Sequence, residues 1–189
     1  MVRGVNVRIR RAAERDREAV FALLRELASD IYGLPEEEAF RLYDELYGVT
    51  QDYERALRGL SEGYRVYVLE VGGEVAGLVS VMECGRCLYI DDLVVRRGLR
   101  GRGYGRALVE HLERAYGGYE CLVVDAHEGA VGFFRRLGFA EVLRRRGEVV
   151  WVRMVKRRGA RAAAPLTGGR RTRRTPRVSG RRATRSPRR

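Results

Sequence analysis

Apolar residues recur along this chain in two rhythms. Residues 5–11 alternate apolar and polar side chains, the period-two pattern of an edge strand. Over residues 14–31 the spacing becomes helical, with Val20, Leu23, Leu24, Leu27 and Ile31 on one stripe and Asp16 near the start, where a carboxylate suits the helix dipole. A second helix is predicted from Pro35, with Ala39, Leu42, Tyr43 and Leu46 on one face. Residues 50–60 read as a short third helix closed by Gly63. Two strands follow, 64–71 and 74–82, joined at the hairpin signal Gly72-Gly73. Beyond them the pattern predicts a strand at 88–95, a glycine-rich loop, a helix at 106–115, a strand at 121–126, a helix at 130–137 and a last strand around 149–155. Strands first in a meander and then alternating with helices predict an α/β fold, with a mixed, mostly antiparallel central sheet flanked by helices.

A length of 189 residues and 45% hydrophobic content suit one domain with a single core. No apolar run approaches membrane-spanning length, and Arg3, Arg8, Arg10 and Arg11 break up the N-terminal hydrophobics, so neither a membrane span nor a signal peptide is expected and a cytoplasmic location is. The net charge of +13 is unevenly placed. Residues 159–189 hold eleven arginines and no acid, which leaves residues 1–158 with 27 basic against 25 acidic side chains, a charge of +2. The chain therefore divides into a domain, 1–158, and an arginine-rich tail, 159–189. That tail has no aromatics, few aliphatics and three prolines, a composition that predicts disorder and, at most, weak nonspecific nucleic-acid binding through its charges.

Three cysteines are too few for a disulfide scaffold. Cys84-Gly85-Arg86-Cys87 fits a two-residue hairpin turn that would set its thiols opposite each other, and three readings stay open: plain thiols, a Cys84–Cys87 disulfide, or part of a metal site. Neither Cys121 nor the two histidines come with metal-ligand spacing, so no metal is expected.

The candidate chemistry lies in Arg100-Gly101-Arg102-Gly103-Tyr104-Gly105, between an apolar strand and a helix. Glycines let the backbone turn tightly and aim several N–H groups at one anion, the helix N-terminus adds its dipole, and arginines can pair with phosphate oxygens. A Walker loop would need a terminal Gly-Lys-Ser/Thr, and a dinucleotide fingerprint would need glycine at 106, which is Arg106. Arg/Gln-x-x-Gly-x-Gly/Ala does match, through Arg100, Gly103 and Gly105, and it is the signature of the GNAT (N-acetyltransferase) superfamily. A second segment of that superfamily, Asn-x-x-Ala-x-x-Phe-Tyr-x-x-x-Gly-Phe, matches at Ala130, Phe133, Gly138 and Phe139. The chain thus resembles that superfamily over about residues 5–157.

The resemblance implies a single GNAT-like domain and an acyltransferase, moving an acetyl group from acetyl-CoA to a primary amine, a small amine or a protein N-terminus, by direct attack in a ternary complex. It implies that the backbones of Leu93, Val94 and Val95 hold the pantetheine arm and residues Arg100, Gly101, Arg102, Gly103, Tyr104 and Gly105 the pyrophosphate. Ile90-Asp91-Asp92-Leu93-Val94-Val95 resembles Leu-Glu-Asp-Phe-Phe-Val of polyamine and related amine acetyltransferases, making Asp91 the candidate base. Strand alternation would put Asp91 on the face of Leu93 and Val95, with Asp92 turned away. The superfamily's proton-donating tyrosine is replaced by Phe134, a candidate cofactor contact, and its asparagine by His127, a candidate acid or cofactor contact. Tyr32, Tyr43, Tyr47 and Tyr53 with Glu36, Glu37, Glu38, Asp44 and Glu45 read either as a cation-attracting rim or as the ordinary outer face of amphipathic helices. A non-catalytic CoA-binding module docked on nucleic acid by its tail is the alternative function. The oligomeric state stays open, a homodimer among the options.

Overall fold

The computed structural model describes residues 6–147 and 149–158. The arginine-rich tail, 159–189, lies outside them. Seven strands form one sheet in the order β1-β2-β3-β4-β5-β7-β6, with every neighbouring pair antiparallel except β4 and β5. The strands are β1 (Val7–Arg11), β2 (Tyr64–Val71), β3 (Glu74–Cys84), β4 (Cys87–Val95), β5 (Cys121–His127), β6 (Ala140–Arg145) and β7 (Trp151–Arg157). The helices are α1 (Arg17–Tyr32), α2 (Glu36–Tyr47), α3 (Val49–Leu57), α4 (Tyr104–Ala115) and α5 (Val131–Arg136).

Alternation along the strands feeds two cores. Val66, Val68, Leu78 and Val94 pack against Val20, Leu23, Leu24 and Leu27 of α1 and Tyr53 of α3. Val79, Val81, Leu88, Ile90 and Val95 pack on the opposite face against Leu108 and Leu112 of α4 and Phe134 of α5. Each such leucine, fully buried, contributes about 1.5–3 kcal/mol. The stripe expected over residues 14–31 is buried in α1 as far as Leu27, whereas Leu46 of α2 is 59% exposed. Strand β6 was not anticipated from the pattern. All six of its residues are exposed, so it shows no alternation to read.

The parallel pair is short, and this shapes the molecule. Strand β4 pairs with β5 only from Cys87 to Ile90, opposite Cys121 to Val124. Past that point β4 stays with β3 and β5 with β7, so the sheet parts into a wedge. A disulfide joins Cys87 to Cys121 at the closed end, across 34 residues of sequence, which corrects the Cys84–Cys87 pairing weighed from the sequence. Cys84 is free and exposed. A cross-link closing a loop of that length is worth about 4 kcal/mol of unfolded-chain entropy.

Candidate functional site

The wedge leaves backbone groups of β4 without a ladder partner. The Arg96 amide donates to the Ala76 carbonyl at 2.9 Å, and the Asp92 amide donates to Ser80 Oγ at 3.0 Å, so even-numbered residues of this stretch turn their polar groups to β3. By the alternation of an antiparallel ladder, Val94 does the same and the N–H groups of Leu93 and Val95 face the gap. The Val95 carbonyl already accepts from Arg100 Nε at 2.7 Å. Of the three residues expected to bind through their backbones, Leu93 and Val95 are presented to the wedge and Val94 is committed to the sheet.

A cavity of about 460 Å³ lies along this edge. Leu93, Val94, Val95, Arg100, Gly101, Gly103, Tyr104, Gly105 and His127, all singled out from the sequence, are on its wall. The loop enters α4 through Gly101 and Gly103, with φ of +78° and +87°, where a side chain would be strained. A Cβ at either would point into open space. The helix opens with Ala107 N–H donating to Gly103 C=O at 3.0 Å, leaving the amides of Tyr104, Gly105 and Arg106 as the unpaired donors of a helix N-terminus. Such a cradle fits a pyrophosphate. Arg106 and Arg136 line the cavity, and among the described residues they make no ion pair.

Arg100 is not a free cation. Its guanidinium holds Asp30 at 2.7 Å and Glu26 at 3.7 Å, both on α1. Arg97 reaches Asp30 at 3.1 Å and Glu36 of α2 at 2.6 Å, and its amide donates to Glu26 at 2.9 Å. The loop is thereby fastened to the first two helices. Nothing in the local sequence signals these pairs, because their partners are more than 60 residues apart.

Phe134 does not take the cofactor-contact place expected of it. Phe134 is 4% exposed and packs edge-on between Phe133 and Phe139, away from the cavity wall, whereas Phe133 lines the cavity and touches the backbone at Gly105. Arg102 lies in the loop but not on the wall. Burial pushes His127 below the usual imidazole range, Asp30 opposing and Arg100 adding to the effect, so the ring is neutral at pH 7.

Asp91 and Asp92 depart from simple alternation. Ile90 pairs with Val81 and Leu93 with Val79, so the two aspartates together oppose Ser80 in a β-bulge. The extra residue turns both carboxylates to the α1–α3 side. Tyr64 donates to Asp91 Oδ2 at 3.0 Å, and Tyr43 and Tyr53 donate to the two oxygens of Asp92 at 2.5 and 2.9 Å. The expectation that Asp91 shares the face of Leu93 and Val95, with Asp92 opposite, is therefore overturned by the bulge. Asp92 is 3% exposed, while Asp91 is exposed. Desolvation and then the neighbouring Asp92 raise the Asp91 carboxyl to about 7, against the pull of the Tyr64 hydroxyl. Burial holds the three tyrosines well above their usual range, so they remain protonated donors.

The first helices place only part of the expected rim at this site. Tyr43 and Tyr53 are bound to Asp92, Glu36 and Glu37 to Arg97 and Arg25, and Asp44 to the Thr50 amide at 2.7 Å. Among the described residues no group of three or more His, Cys, Asp or Glu could hold a metal ion, and no helix is long and apolar enough to cross a membrane.

Residues 21–139 match the Acetyltransferase (GNAT) family. The chain is 31% identical over 139 residues, 64% of its length, to an uncharacterized N-acetyltransferase of Methanocaldococcus jannaschii. It is 34% identical over 113 residues, 56% of its length, to glucosamine 6-phosphate N-acetyltransferase 1 of Oryza sativa subsp. japonica. These stretches span 58% and 64% of those two relatives. Among solved structures, the PaiA N-acetyltransferase of Thermoplasma acidophilum in complex with coenzyme A superposes with a TM-score of 0.66 over 80% of this chain and 99% of that one. At 16% identity the likeness is one of fold.

Proposed function

Because the chain belongs to the acetyltransferase (GNAT) family, we propose that it transfers an acetyl group from acetyl-CoA to a primary amine, a small amine or a protein N-terminus, in a ternary complex. The observation that carries this reading is the wedge itself. The β4 backbone edge at Leu93 and Val95 lies between a glycine-rich loop on the cavity wall at one end and Asp91, two residues before Leu93 and off that wall, at the other.

In this reading the amides of residues 101–106 bind the pyrophosphate, and the Leu93 and Val95 edge holds the pantetheine arm, with one N–H polarising the thioester carbonyl. An ammonium cannot attack until it loses a proton. Asp91, raised to about 7, accepts that proton, and the amine nitrogen then adds to the carbonyl carbon. The carbon–sulfur bond breaks, the nitrogen gives up its second proton to water, and the CoA thiolate takes a proton from water. His127 serves as a cofactor contact rather than the acid, since its protonated form is scarce at neutral pH.

A panel of amines tests the proposal. Thiol release from acetyl-CoA should depend on the added amine and match acetylated product by mass spectrometry. If acetyl-CoA binds and no amine accelerates thiol release, the chain is a non-catalytic CoA-binding module instead.

A further inference from the structure

We propose that Cys84, Cys87 and Cys121 form a thiol–disulfide exchange site, with Cys87 as the shared sulfur and the wedge of the sheet as the element it fastens or releases. The site is independent of the acetyl-transfer reading.

The register places the three cysteines in one row across three strands. Cys84 opposes Cys87 between β3 and β4, and Cys87 opposes Cys121 between β4 and β5. Directly opposed residues project from the same face of a sheet, with Cβ atoms about 4.5–5.5 Å apart. Leu88, Ile90, Leu122 and Val124 belong to the core under α4 and α5, so the cysteines alternating with them take the other face. Thiolate attack on a disulfide proceeds along the S–S axis, onto the attacked sulfur from the side opposite the leaving sulfur. A row perpendicular to the strands presents Cys84 to Cys87 from that side, with Cys121 beyond.

Each member suits its part. Cys84 is the free thiol, and it is exposed, so it can be reached from solvent. Cys87 and Cys121 are already bonded. Arg157 of β7 opposes Cys121 and continues the row on the same face. At the hairpin tip, Arg86 is ion-paired with Glu120, so that pair closes the row's edge without a spare charge.

The step balances without an outside oxidant or reductant. The Cys84 thiolate forms a bond to Cys87 Sγ, the Cys87–Cys121 bond breaks, and its electron pair stays on Cys121, which takes a proton from water. One disulfide and one thiol remain. What changes is what the disulfide ties. Cys87–Cys121 joins β4 to β5 where they pair over only four residues, at the closed end of the wedge. Cys84–Cys87 ties only the β3–β4 hairpin to itself. Exchange therefore removes the covalent link between the two halves of the sheet and leaves the hairpin intact.

The test uses the full chain, equilibrated at pH 8.5 in a buffer of reduced and oxidised glutathione, quenched in acid, alkylated with N-ethylmaleimide and mapped without reduction by mass spectrometry. Two isomers are expected: Cys84 labelled with Cys87–Cys121 intact, and Cys121 labelled with Cys84–Cys87 formed. Cys84→Ser should abolish the labelled Cys121 and keep the Cys87–Cys121 bond. Cys121→Ser should give Cys84–Cys87 as its only disulfide. Wild-type protein in which only Cys84 is ever labelled, or in which no disulfide forms at any glutathione ratio, overturns the proposal.

Discussion

Asp91 and Asp92 are consecutive on β4, yet both carboxylates lie on the face covered by α1–α3, the first bound by Tyr64 and the second by Tyr43 and Tyr53. An uninterrupted strand would send them to opposite faces. The bulge opposite Ser80 brings them together, and the consequence is electrostatic. One carboxylate, buried and held by two tyrosine hydroxyls, acts on the other, which is exposed and is raised to about 7.

If Asp91 is the base, Asp91→Asn lowers kcat by ~10²–10⁴-fold with acetyl-CoA affinity nearly intact. The wild-type kcat/KM should rise with pH through about 7, as the carboxyl ionises. The mutant's deficit should shrink at high pH, where more amine is already neutral. Rates equal to wild type across the pH range remove Asp91 from the mechanism.

The same carboxyl sets a stability trend of opposite sense. Its folded value is raised above the ordinary 3.8, so its favourable contribution is complete below that value and is lost as pH rises to about 7. Asp91→Asn carries no such loss. The Tm of the mutant minus that of wild type should therefore increase between pH 4 and pH 8 in thermal scans, and a constant difference counts against the raised carboxyl.

Asp92→Asn keeps the shape of the buried group and removes its charge. With that like charge gone, Asp91 should titrate nearer the ordinary carboxylate range, moving the acid limb of the kcat/KM profile to lower pH. The groups facing the pair, Tyr43, Tyr53, Tyr64 and Asp52, are unchanged, which leaves Asp92 as the cause. A displaced limb in kcat/KM, rather than a uniform fall in activity, separates tuning of the base from simple misfolding.

The strands and helices that carry the site were legible because their apolar spacing is strong: β2 spans the expected residues 64–71, and α4 ends at the expected Ala115. The loop was legible because Gly101, Gly103 and Gly105 are close in sequence. What the sequence hid has a common physical origin in register and long-range pairing. A one-residue bulge reversed the face of Asp91, and the partner of Cys87 was set by a parallel neighbour 34 residues away rather than by its own hairpin. Tying Arg100 to Asp30 depends on how α1 docks, which no local spacing encodes. That Phe133 rather than Phe134 lines the cavity follows from the packing of Phe134 into the core against Phe139, which no local spacing encodes.

Gly103→Glu should abolish acetyl-CoA binding in calorimetry. Gly103 sits at φ +87°, on the cavity wall and at the cap of α4, so the variant strains the turn and sets a negative charge among the amides that would meet the pyrophosphate. Equal affinity in wild type and variant means that the cofactor phosphates lie elsewhere.

Phe134→Tyr distinguishes a site that lacks one acid from one whose geometry never presented it. The ring at 134 is 4% exposed between Phe133 and Phe139, in the core beneath α5, and does not reach the cavity wall. A hydroxyl added there meets apolar neighbours and, left without a partner, costs about 1–3 kcal/mol. For a domain of this size that is a fall in Tm of roughly 2–4 °C per kcal/mol. The expected outcome is lower stability with no gain in kcat for any amine that the wild type acetylates. A rate gain with unchanged acetyl-CoA affinity would mean that the ring turns toward the thioester during turnover, and that the missing acid, rather than the packing of α5, limits the reaction.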